Sequence, residues 1–126
     1  MITAITWAAA GLHLSIAVFQ VCLVAGKPWG EYAWGGQHKG VLPAGFRIGS
    51  IVSALLLLFF AWVNLAATSL VPAAGFPVAA AQKFVSGYAA LGALMNGISR
   101  SRKERLLWTP VCTLLLVLNL LILWQM

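Results

Sequence analysis

The sequence predicts an all-α membrane protein: a four-transmembrane-helix up-down bundle, N-out and C-out, with a Gly/Trp-rich cytoplasmic interfacial loop between its first two helices. Two observations carry that prediction. The 126 residues are 62% hydrophobic and only 8% charged, with a mean hydropathy of +0.95, whereas a soluble domain carries about a quarter charged residues. In addition, a hydrocarbon core about 30 Å thick needs about 20 apolar residues per helix. The chain offers four such stretches in one membrane domain, near 3–25, 48–67, 77–98 and 106–125.

The first span opens with "MITAITWAAAGLHL". It has no positive region ahead of its apolar run, so it reads poorly as a cleaved leader and is expected to stay in the mature protein. Ala25-Gly26-Lys27-Pro28 ends it, with glycine suited to a helix C-terminus, lysine facing the negative end of the dipole and proline blocking continuation. Between the second and third spans, "TSLVPAAGFP" reads as a tight connector punctuated by two prolines. Before the fourth, Ser101-Arg102-Lys103-Glu104 matches a capping box, and Thr109-Pro110 offers a second start or a kink. Cys22 and Cys112 stand far apart with no Cys-x-x-Cys pair, as structural thiols do.

Orientation follows from the basic residues, because cytoplasmic connections collect Lys and Arg. Lys27, Lys39 and Arg47 lie in the first connection and Arg100, Arg102, Lys103 and Arg105 in the third; only Lys83 lies elsewhere. Four spans put the first and third connections on one side, so that side is the inner face of a bacterial inner (plasma) membrane. Trp7, Trp62 and Trp124 fall toward the outer ends of their spans and Trp29, Trp34 and Trp108 toward the inner ends, a belt at each interface. Topology and attraction to an anionic inner leaflet account for the net charge of +6, so the lipid bilayer is the expected partner and no nucleic acid is needed.

The first connection, Gly26 to Arg47, is long for a helix link and rich in large aromatics that disordered linkers lack. It is expected to fold as an interfacial flap, with Trp29, Tyr32 and Trp34 at headgroup depth. Glu31, His38 and Lys39 are a conceivable acid–base set, but the stretch holds no nucleophile motif, second carboxylate or metal-spaced His/Cys cluster. The plainer expectation is that Glu31 pairs with Arg47 or the basic third connection and that His38 is solvated. No catalytic residue and no metal site are assigned.

Polar residues inside spans carry more weight, because each is costly in hydrocarbon and turns toward the bundle interior. His13 falls at the middle of the first span. Counting about 1.5 Å per residue, Asn64, Lys83 and Asn119 lie about 9, 6 and 5 Å toward the outer face of the others. Ala9, His13 and Ala17 share a face with Gln20 one turn on; Lys83 shares one with Ser86, Ala90, Ala93 and Gly97. The set reads as interhelical hydrogen bonding, as a solute site lined by His13, Asn64, Lys83, Tyr88 and Asn119, or as Lys83 snorkelling outward while the rest hold the bundle. A haem between two histidines would need a second buried His, and His38 lies outside the spans, so no cofactor is expected.

In size and topology the chain resembles the small multidrug resistance transporters, four short helices with one ionisable group in the middle of the first. Those use a membrane carboxylate to exchange cationic drugs for protons. Here the position holds His13 and no span holds an acid, which suits a neutral or anionic solute better. The stretches "PWGEYAWGGQHKGVLP" and "ALMNGISRSRKERLLWTP" look similar to a group of small, uncharacterised bacterial four-span proteins, a resemblance that implies the architecture and no activity. The expectation is a non-enzymatic structural or accessory component packing against lipid or other membrane proteins, as a homo-oligomer or in a larger complex. Stripes of small residues such as Ala89, Ala93 and Gly97 invite a partner helix. The alternative is a small-solute carrier or membrane-embedded binding protein.

Overall fold

The computed structural model describes the whole chain, Met1–Met126. It is all-helical: α1 Ile2–Val24, α2 Ala44–Ala67, α3 Val78–Gly97 and α4 Arg102–Gln125, with short 3₁₀ turns at Gly30–Tyr32 and Trp34–Gly36 in the α1–α2 connection. Helices α1, α2 and α4 are long and apolar enough to cross a membrane. Helix α3 is 20 residues long, about 30 Å at 1.5 Å per residue, but Gln82, Lys83, Ser86 and Asn96 dilute its apolar run.

Two helix starts precede the apolar stretches. Helix α2 begins at Ala44, directly after Pro43, rather than near 48. Arg47 therefore stands on the first turn of α2 and not in the loop where the sequence put it. Helix α4 begins at Arg102 rather than near 106 because the Ser101 hydroxyl accepts from the Glu104 amide at 3.3 Å. The helix then runs through Pro110 without a break.

The helix ends beside the α1–α2 connection and the α3–α4 link are closed by specific bonds. At the end of α1, Lys27 N donates to Cys22 O at 3.0 Å and Gly26 N to Leu23 O at 3.2 Å. This is a Schellman pattern whose left-handed residue is Gly26, φ 95°. Arg47 completes it, donating from Nε (3.0 Å) and Nη2 (2.6 Å) to Val24 O. Arg105 Nη1 likewise donates to Ser99 O, 2.8 Å away, just beyond α3. A cation at a helix C-terminus meets unpaired carbonyls and the negative end of the dipole.

Packing divides the bundle into two hairpins. Helices α1 and α2 lie closely together, as do α3 and α4, while α1–α4 and α2–α3 contacts close the bundle more sparsely. The main apolar core comprises Ala17, Leu57, Phe60, Val63, Ala66, Val78 and Val85. Only 27 of 126 residues are buried, and outward positions such as Trp7, Val18, Leu55, Leu94 and Trp124 are apolar and exposed. Such a surface is matched to lipid rather than to water. The stripe on α3 is partly spent within the chain: a Cβ at Gly92 would meet Cys112 and one at Gly97 would meet Thr109.

Candidate functional site: a polar clasp, a latched flap and the cavity between them

Each helix contributes one polar side chain to a cluster in the half of the bundle nearer the α2–α3 connector. His13 Nδ1 lies 3.0 Å from Asn64 Oδ1. Asn64 Nδ2 donates to Asn119 Oδ1 at 2.7 Å and to Gln82 Oε1 at 3.1 Å. Gln82 Nε2 donates to Asn119 Oδ1 at 2.9 Å, and Asn119 Nδ2 to Leu115 O at 2.8 Å. All four residues are at most 2% exposed. Because Asn64 Oδ1 can only accept, His13 Nδ1 carries the proton. The amides satisfy one another, which leaves His13 Nε2 as the one acceptor of the cluster without a partner.

Three of the five residues singled out in the sequence, His13, Asn64 and Asn119, thus come together, and two do not. Lys83 is exposed; the inward position belongs to its neighbour Gln82, about 100° around the helix. The buried face of α3 runs Val78, Gln82, Val85, Ser86, Ala89, a spacing that reaches Gln82 and skips Lys83. Tyr88 is 40% exposed, with its ring edge-on to Phe60 at 5.0 Å, away from the polar cluster.

At the opposite end the connection from Ala25 to Pro43 forms a compact flap. Gly30 N donates to Gly40 O at 2.8 Å, and the chain pinches so tightly there that a Cβ on Gly30 would fall 2.0 Å from His38 O. Ala33 and Leu42 are buried with Leu23, and Phe19 and Phe46 pack against them. Trp34 donates from Nε1 to Ser50 Oγ at 3.2 Å and lies on Gly49, where a Cβ would come 2.8 Å from the ring. Trp29 stacks on Phe19, centroids 6.1 Å apart and planes within 5°. Trp29 and Trp34 therefore fasten the flap to the helices as well as reaching the surface.

Helix α4 latches this flap. Trp108 Nε1 donates to Tyr32 O at 2.7 Å, Gly35 N to Glu104 Oε2 at 2.9 Å, and Ser101 Oγ to Glu31 O. The expected capping box is thus half used: Ser101 caps α4, while Glu104 turns to Gly35 instead of back to Ser101. Glu31 pairs with Lys103 at 2.9 Å, on the basic third connection, and not with Arg47. The hydrogen bond from Lys103 holds the Glu31 carboxyl below its ordinary value, Lys103 and Lys39 adding charge attraction. His38 is half-buried rather than solvated, its ring 4.8 Å from that of Phe46. Glu31 and His38 thus have separate structural partners.

Between clasp and flap lies a cavity of about 730 Å³, walled by both hairpins and roofed by Ala33, Trp34 and Gly35. Phe19, Leu91 and Met95 supply apolar walls, and Gln20, Glu104 and Cys112 its most notable polar groups. Gln20 Oε1 is buried with no hydrogen-bond partner; Thr109 Oγ1 is the other such atom in the chain. A buried acceptor left open is costly. Gln20 shares the His13 face in the sequence, but nothing there marks Glu104, Ser101 and Trp108 as holding a flap some 70 residues away.

Comparison with protein-family models, with curated proteins and with solved structures returns no match in any of the three.

Proposed function

We propose that the chain is a non-enzymatic, four-span protein of a bacterial-type inner membrane that holds a small amphiphile in the cavity between its two hairpins. The cavity carries this reading. Its volume falls within the range of about 300–1,000 Å³ usual for ligand pockets, its walls are largely apolar, and the side chains of Gln20 and Glu104 line it. Those groups suit a ligand whose polar end donates hydrogen bonds. The binding site in this reading lies in the inner half, not at the outer polar residues, whose amides are paired with one another.

The length of α3 and the grouping of the basic residues support four crossings with the flap inside. Lys83, about one and a half turns from the start of α3, is placed to snorkel outward. A second reading, an accessory subunit or homo-oligomer, draws on Leu91, Leu94, Met95 and Ile98, exposed apolar residues of α3 and the residue after it.

Native mass spectrometry of the protein released from mild detergent tests both. The expected spectrum shows a small-molecule adduct on the chain that disappears in Gly92→Trp, whose indole would enter the cavity beside Cys112. A bare chain in both proteins, or a complex with other polypeptides and no adduct, would refute the binding reading.

A further inference from the structure

We infer that a second, smaller cavity, at the junction of the flap and the α3–α4 link, binds the phosphate of an anionic lipid headgroup. It measures about 390 Å³, and no apolar residue lines it. Lys39 comes from the flap, Arg100, Arg102 and Lys103 from the link and the first turn of α4, with Gly35, Gly36 and Ser101 between them. The proposal is independent of what fills the larger cavity, whose lining includes none of these cations.

The charge balance points to an anion. The one carboxylate present, Glu31, is taken by Lys103 at 2.9 Å. Lys39, Arg100 and Arg102 have no ion-pair partner, since that bridge is the only one in the chain, and their side chains make no hydrogen bond to it. Folding thus gathers three uncompensated cations from two segments about 60 residues apart, an arrangement that repels itself until a counter-charge arrives. The amides of Arg102 and Lys103 also lie in the first turn of α4, where no intrahelical acceptor exists. Planar guanidinium groups match phosphate oxygens in pairs, and open amides add donors beside them.

The surroundings select a lipid over a free anion. Ile98 and Leu106, which flank the basic link in the chain, are 66% and 62% exposed, so acyl chains can lie against them while the headgroup reaches the arginines. A phosphate there would also bridge the flap and the link, adding to the latches already formed by Glu104, Ser101 and Trp108.

The test uses the full chain in dodecyl maltoside, titrated with dihexanoyl phosphatidate, dihexanoyl phosphatidylcholine or inorganic phosphate and followed by isothermal calorimetry. Phosphatidate should bind about tenfold or more tightly than either alternative. Arg100→Gln with Arg102→Gln should remove that preference, as should Lys39→Gln alone in part. Lys27→Gln, a cation of the same side that sits on Trp29, should leave it intact. Equal affinity for the two lipids overturns the proposal, as does an equal loss in Lys27→Gln, which would mean diffuse surface charge. Inorganic phosphate binding as well as phosphatidate overturns the lipid assignment. Unchanged helical circular dichroism certifies each variant, and Lys39→Gln decides the matter if the arginine pair fails to fold.

Discussion

His13 Nδ1 lies 3.0 Å from Asn64 Oδ1, and Asn64 passes that bond on to Gln82 and Asn119. One amide therefore connects the α1–α2 hairpin to the α3–α4 hairpin. Asn64→Leu strips partners from three buried groups at once and should destabilise the fold by about 2 kcal/mol. Lys83→Leu, one residue from the network, should change stability by less than about 0.5 kcal/mol. Reversible unfolding in mixed SDS–detergent micelles measures both.

Gly36 and Gly40 both have positive φ, 70° and 88°, but differ in their surroundings. A Cβ on Gly36 would fall 2.4 Å from Ser101 Cβ, whereas one on Gly40 meets nothing within 4 Å. Gly36→Ala should cost more than Gly40→Ala, whose penalty of about 1 kcal/mol is conformational alone. Gly36→Ala should also shift tryptophan emission as the flap lifts from Trp108; equal effects in the two variants would contradict the latch.

The Glu31–Lys103 pair gives the flap an acid sensitivity of known sign. The folded state lowers the Glu31 pKa from its ordinary 4.5. Its contribution is therefore complete above that value and fades as pH falls through the lowered one. Carboxyl chemical shifts of labelled glutamate should place the Glu31 midpoint below 4.5 in the native protein and near the ordinary value in Lys103→Met.

Cys112 borders the larger cavity and Cys22 does not, although both thiols are free and half-buried. A bound amphiphile should slow alkylation of Cys112, read in Cys22→Ser, and leave Cys22 unaffected, read in Cys112→Ser. Equal protection of both would place the ligand elsewhere.

Orientation is testable with single cysteines in a background lacking the native two. With four crossings, Lys83→Cys should react from outside and Lys39→Cys from inside with an impermeant maleimide in intact cells and inverted vesicles. Both reacting from one side would require an even number of crossings, or none, between the flap and α3.

Much of the bundle was legible because apolar length is a local property: the four helices lie where the four stretches predict them. Their starts were less so. Helices α2 and α4 each begin about one turn early, since the first turns carry Arg47 or Arg102–Glu104 and a search for apolar runs passes over them. On α3 the charge of Lys83 drew attention from Gln82, although the spacing of Val78, Val85 and Ala89 already favoured the amide. The flap's ties to α4 had no local signature. They depend on Gly35, Tyr32 and Glu31 meeting Glu104, Trp108 and Ser101 across most of the chain, a matter of tertiary approach.

The division into two hairpins gives the connector between α2 and α3 a modest role. Thr68 to Pro77 need not hold the halves together, because each half carries amides that hydrocarbon cannot satisfy and that only the other half can. Severed at this turn, the fragments would retain a chemical reason to reunite, so the bundle's unity resides in complementary surfaces more than in the continuity of its peptide chain.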